Sequence, residues 1–132
     1  MKEDDDMDKK IIATDQAGPP GGPYSQAVVA GDLVFCAGST PTRPDGTWLE
    51  GDFEEQARAT FENLKVVAEA AGTSLDHAVR VGVYLRDFAD FDAMNVLFAE
   101  YFGSSAPPAR TTLETPLPGF AIEIDAVLLR QA

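Results

Sequence analysis

Histidine and cysteine are nearly absent from this 132-residue chain, which has one of each, His77 and Cys36. A Ser-His-Asp or Cys-His system would have to be built on that one imidazole, and no partner stands near it in the sequence. Metal sites with two histidines and Cys-rich zinc sites are excluded, as is an intramolecular disulfide. His77 reads as a solvent-exposed residue at the start of a strand. Cys36, inside the apolar run LVFCAG, reads as a buried small hydrophobe. No P-loop occurs, and Gly18-Pro19-Pro20-Gly21-Gly22 lacks the spacing of a phosphate fingerprint. Neither a metal nor a nucleotide cofactor is expected.

Positive charge is scarce too. Ten Lys and Arg stand against 22 Asp and Glu, a net charge of −12. Such a surface repels phosphate backbones, so nucleic acid is an unsuitable partner; the excess acid serves solubility. No apolar run approaches the ~20 residues that a membrane-spanning helix needs. The opening MKEDDDMDKK lacks the apolar core of a signal peptide. A reducing, cytoplasmic setting with no membrane partner is the expectation.

What is present suffices for one folded domain. Apolar residues make up 45%, including eight Phe and one Trp, and the length suits a single core. Residues 1–9 are expected to be a disordered acidic tail, and residues 10–132 a single domain. KIIAT begins that domain as a short strand. DQAGPPGGP is a loop by its Gly and Pro content. YSQAVVAGDLVFCAG reads as two strands joined at Gly31-Asp32. A second loop turns at Pro44-Asp45-Gly46.

The first helix begins at Asp52, an N-cap with Glu55 three residues later. Phe53, Ala57, Phe61, Leu64, Val67 or Ala68, and Ala71 recur at helical spacing, and Gly72 stops it. HAVRVGVYLRD alternates as a strand, with Val79, Val81, Val83 and Leu85 on one face. A second helix follows, capped by Asp87 or Asp90; Phe91, Met94, Leu97 or Phe98, and Tyr101 share a side, and Gly103 ends it. RTTLET, the turn 116–119 and AIEIDAVLLR complete the chain. The order β, β, β, α, β, α, β, β places each helix as a crossover between strands, so part of the sheet is expected to be parallel. Two helices cover only one sheet face. The other, still partly apolar, calls for a second copy of the chain.

Two charges stand out. Arg110 follows a Pro-Pro-Ala loop and opens a strand. Taken alone it is an exposed or salt-bridging arginine, although its planar fork can also hold a carboxylate with two hydrogen bonds. Glu123 lies mid-strand between Ile122 and Ile124, where a carboxylate is costly unless paired or functional. It is either in an ion pair, with Arg110 itself as one candidate, or part of a small polar pocket. One sheet face carrying both, met by another subunit, is the arrangement this suggests.

GPYSQAV (22–28), AG before TP (37–41), FEEQARATFENLKVVAEAAG (53–72), VYLRDFADFDAMNVLFAEYFG (83–103), PPART (107–111) and IEIDAV (122–127) together resemble the Rid family, also called the YjgF family, of reactive-intermediate (enamine/imine) deaminases. The resemblance spans residues 11–130. It implies a chorismate-mutase-like α+β fold, a mixed β-sheet with two helices on one face, assembled as a homotrimer with sites between subunits. It implies a hydrolase acting on C–N bonds, converting 2-imino acids, formed from 2-aminoacrylate-type enamines, to 2-oxo acids and ammonia. By this resemblance Arg110 grips the substrate carboxylate and Glu123 orients the attacking water. Tyr24 lines the pocket, and Gly38 and Thr112 offer backbone contacts. The family's Ser-Gly-Gln triplet reads Ala37-Gly38-Ser39 here, and Thr112 stands where cysteine is frequent. The alternative is a non-catalytic trimer that binds a small carboxylate in a regulatory role.

Overall fold

The computed structural model describes residues 8–131. The strands are β1 (Lys9–Ile12), β2 (Ala27–Ala30), β3 (Leu33–Ser39), β4 (Ala78–Leu85), β5 (Ala109–Glu114) and β6 (Ile122–Leu129). The helices are α1 (Phe53–Ala70) and α2 (Phe91–Phe102). The expected order of elements is therefore observed. The tail expected at 1–9 lies largely outside the described residues, and its boundary is corrected: Lys9 already pairs with Ala30 in the β1–β2 ladder.

The six strands form one sheet in the order β1-β2-β3-β6-β4-β5. Only β4 and β5, joined by the α2 crossover, run parallel as neighbours. The chain returns through β6, which inserts between β3 and β4 and pairs antiparallel with both. The β2–β3 hairpin closes on two residues, with Gly31 at φ 59°. Glycine at the first central position, followed by a residue of negative φ, is the II′ pattern that suits strand twist.

The α1 start matches its sequence signal. Asp52 accepts from Glu55 N–H at 2.9 Å, and the Glu55 side chain accepts from Asp52 N–H at 3.1 Å, a complete capping box. Ala57, Phe61, Leu64 and Ala68 are fully buried against the sheet. Asp87 caps the short 3-10 turn before α2 by accepting from Ala89 N–H; Asp90, at the α2 start itself, makes no side-chain cap bond. The Arg58 guanidinium ties the two helices through Glu100, at 3.0 and 3.2 Å. Phe61 stacks on Tyr101, with ring centroids 4.9 Å apart.

Two local expectations fail. Val79 is 40% exposed rather than on the buried face of β4. Ala78 pairs with Leu128 and Arg80 with Val127, so Val79 is the extra residue of a β-bulge and loses its place in the alternation. His77 is not an exposed strand-start residue. It ends a 3-10 turn, half-buried, between the Ser74 hydroxyl at 3.0 Å and the Gln131 amide at 2.8 Å. Among the described residues no helix is long and apolar enough to cross a membrane.

Candidate active site

On β6 the alternation separates two environments. Ile122, Ile124, Ala126 and Leu128 are buried beneath the helices, while Glu123, Asp125 and Val127 are half-buried on the opposite face. Strand pairing carries this division across the sheet. Val81 faces both Arg110 and Ala126, which puts Arg110 in a row on the helix side. Tyr84 faces both Leu113 and Glu123, a row on the open side. Arg110 and Glu123 thus lie on opposite faces of the sheet. The expectation of one face bearing both is corrected, and within one chain they form no ion pair. The reason is register: opposed residues share a face, and the β4 pairings give the two positions opposite parity.

Glu123, Gly38 and Tyr24 are brought together in a cleft of about 360 Å³ on the open side, which Trp48 and Phe120 also line. Gly38 arrives there by an irregularity of β3. Cys36 pairs with Ala126 and Ser39 with Ile124, so Ala37 and Gly38 bulge opposite Asp125. A Cβ on Gly38 would collide with the Glu123 carboxylate, so only glycine permits this approach. Tyr24 is 53% exposed, and its phenol oxygen accepts from Gly21 N–H at 3.0 Å.

The cleft walls are braced by side-chain amides, those of Gln26 and Gln56 buried and that of Asn63 half-buried. Gln26 donates to Thr14 and Gly18 carbonyls at 3.1 and 2.9 Å and accepts from Thr14 N–H at 2.7 Å. Asn63 of α1 donates to Thr40 and Thr42 carbonyls at 3.0 and 2.7 Å. Gln56 accepts from Ala121 N–H at 2.9 Å, just ahead of β6. Loop backbone that cannot reach water is satisfied in this way.

The electrostatics of the open face centre on two acids. Burial holds the Glu123 carboxyl above its ordinary pKa, and the Asp125 charge adds to the shift. No hydrogen bond from the described residues engages the Glu123 carboxylate. Asp125, by contrast, accepts from Gly82 N–H and from the Tyr84 hydroxyl, each at 3.1 Å, with Arg80 at 3.8 Å. Burial, with Asp125 adding, pushes the Cys36 thiol up to about 12, which leaves it inert as a nucleophile.

Arg110 and Thr112 occupy edge strand β5, both half-buried on the helix side. The Arg110 guanidinium carbon lies 4.8 Å from the Phe98 ring centroid and 5.7 Å from that of Phe91; Nη1 lies 3.9 Å from Met94 Sδ. Among the described residues no carboxylate pairs with it, and burial alone lowers its pKa. The result is a guanidinium held against two α2 rings with its fork free for an anion.

The structure brings the expected Tyr24, Gly38 and Glu123 to the wall of one cleft, together with Trp48 and Phe120, which the sequence did not single out. The signal available was an isolated tryptophan after a Pro-Asp-Gly turn, in a loop with no core to fill.

The comparisons agree with this architecture. The family model described as Endoribonuclease L-PSP matches residues 14–129. A RutC family protein of Pyrococcus horikoshii is 45% identical, covering 93% of this chain and 99% of that one. A 2-iminobutanoate/2-iminopropanoate deaminase of Dermatophagoides farinae is 35% identical, covering 92% and 96%. Among solved structures, RidA from an Antarctic Psychrobacter superimposes with TM-score 0.86 at 38% identity, covering 91% and 98%. The YjgF gene product of E. coli does so with TM-score 0.82 at 34% identity, covering 92% and 99%. Two helices on one face of a mixed sheet, with this order and coverage, define the fold these proteins share. The chain belongs to the YjgF/RutC/Rid family.

Proposed function

We propose that this protein hydrolyses 2-imino acids to 2-oxo acids and ammonia, in a homotrimer whose sites combine the Glu123 cleft of one subunit with Arg110 of its neighbour. The observation that carries the reading is the division of the site. A carboxylate of raised pKa stands unengaged in a cleft, and a guanidinium without an acid partner waits on the opposite face. Neither is explained by the folding of one chain. Both are explained if the open apolar face, with Phe35 and Leu113 exposed at 45% and 51%, packs on another copy so that its cleft meets that copy's Arg110 at the edge strand β5. The named deaminase among the relatives supports the same chemistry.

In this mechanism Arg110 holds the substrate carboxylate with two parallel hydrogen bonds. A water positioned by Glu123 attacks C2, and Glu123 accepts its proton. The tetrahedral intermediate collapses with cleavage of the C–N bond. The proton passes to nitrogen, and ammonia leaves. An imine is already electrophilic, so the work is orientation and proton management. A raised carboxyl pKa makes Glu123 a better base than an ordinary glutamate.

A second reading is a non-catalytic trimer that binds a small carboxylate. It needs only the Arg110 fork, which no carboxylate among the described residues pairs with, and gives Glu123 no part in turnover. An RNA-cleaving role, suggested by the family model's description, is opposed by the net charge of −12 and by a cleft whose charged lining residue is an acid.

A coupled assay with freshly generated 2-aminoacrylate decides among these. Wild type should release pyruvate and ammonia well above the buffer rate. Glu123→Gln should lose roughly 10²–10⁴-fold of that turnover while still binding 2-oxo acids. A wild type no faster than buffer ends the deaminase reading and leaves the binding one.

A further inference from the structure

Trp48 has no role in the core. It is 46% exposed, yet it is not on a loose loop. Thr42 and Trp48 bridge in antiparallel fashion across a tight turn. Arg43 N–H donates to the Thr47 carbonyl at 2.7 Å, and the Arg43 guanidinium donates to the Trp48 carbonyl at 2.9 Å. The indole meets Phe120 edge-on, with centroids 5.3 Å apart and planes at 84°. It also occupies the space that a Cβ at Gly119 would need; that glycine sits at φ 86°, where a side chain is strained in any case. A large aromatic ring is thus fixed in orientation at the wall of the Glu123 cleft with about half its surface left uncovered by its own chain.

Rigid aromatic surface left exposed beside a reactive group is a stacking platform for a ligand. Beside the indole the cleft offers Pro19, Pro20, Tyr24 and Phe120 as apolar or aromatic surface and Thr40 and Thr42 as polar surface, and Glu123 is the charged side chain among its walls. The end of the substrate entering this cleft is therefore not its carboxylate. A three-carbon imino acid anchored by its carboxylate and attacked at C2 has only a methyl group to offer the indole.

We infer that Trp48 is a specificity-determining residue that selects 2-imino acids with bulky apolar or aromatic side chains over iminopropanoate. The inference rests on the deaminase reading for its chemistry and for the placing of C2 beside Glu123; the indole platform itself rests on the contacts of Trp48. The substrate's side chain runs from C2, beside Glu123, onto the exposed indole face. The reaction is unchanged: water adds to C2, the C–N bond breaks, and ammonia and the 2-oxo acid form.

Trp48 is the single tryptophan of the chain, so its fluorescence reports directly on the platform. Titration with 4-methyl-2-oxopentanoate should change the emission and give a Kd on the order of tenfold tighter than pyruvate does. Unchanged emission at saturation by an independent binding measurement, or equal affinity for the two acids, overturns the inference. In the turnover arm, imines are generated in situ from leucine, phenylalanine and alanine by an amino-acid oxidase. The wild-type kcat/KM should favour the two larger imines. Trp48→Ala should collapse that ratio toward one, and Trp48→Phe should keep most of it, both variants retaining a cooperative melt. A preference for the small imine, or a ratio that survives Trp48→Ala, also overturns it. If the larger acid binds with the expected emission change but no imine is turned over, the platform stands and the deaminase reading falls.

Discussion

The two faces of the sheet are made from the same strands and differ in what they finish within one chain. Beneath the helices, Val81, Val83, Ile122, Ile124 and Leu128 are fully buried, and the layer is complete. On the other face Phe35, Leu113 and Leu129 remain 44–51% exposed, and among them stand Glu123 and the Asp125–Tyr84 pair. The covered face explains stability and little chemistry, with one exception at its edge, where Arg110 rests on Phe98. The open face holds chemistry that stability alone would not retain. The contrast teaches that the proposed site would be distributed according to which surfaces one chain leaves uncovered.

The strongest way to break the contrast is to make the open face permanently wet. Val127→Asp places a charge at the proposed subunit contact. We expect monomers by light scattering and loss of essentially all turnover, with Arg110 and Glu123 still present. A fully active monomer would sink the shared site. Next in size is Arg110→Ala, which removes charge-assisted hydrogen bonds worth roughly 1.5–3 kcal/mol each. Lysine should restore little, because a point charge does not reproduce the fork. The division between faces makes a sharper demand. Mixing Arg110→Ala subunits with Glu123→Gln subunits, each nearly inactive, should recover activity, because some sites then receive both native groups. Failure to complement after verified subunit exchange would return both residues to one chain.

A smaller effect is expected from Gly38→Ala. The new Cβ displaces the flexible Glu123 carboxylate and leaves the bulge in place. Turnover should fall by about tenfold with the melting temperature little changed; unaltered kinetics would show that the bulge does not position Glu123. The smallest effect is in pH dependence. In the proposed mechanism Glu123 is a base only when ionised, and burial followed by the Asp125 charge raises its pKa. The acid limb of kcat/KM should therefore lie above the ordinary glutamate value, with activity lost as pH falls through it. Asp125→Asn removes the second cause and should move that limb to lower pH. A limb that stays in place would mean that Asp125 does not influence the base.

Much of this molecule was readable before folding. The capping box at Asp52, the Gly31 hairpin turn and the stop at Gly72 are local signals, decided by a few neighbouring residues. The alternation of β6 was also legible, because side chains in a strand change face at every residue. Composition excluded histidine-based and multi-cysteine chemistry outright, and the motif order of residues 11–130 carried the family. Other features depended on partners distant in sequence. The bulge at Val79 exists only against β6, and the bulge at Gly38 only against Asp125. That Arg110 and Glu123 look away from each other follows from β4 lying between β5 and β6. Trp48 became a platform only when Gly119 and Phe120, some seventy residues later, closed under it. Period and capping are properties of a segment, so sequence alone determined them. Register and parity arise when strands pair, and a one-residue slip reverses every face; only the tertiary structure could decide them.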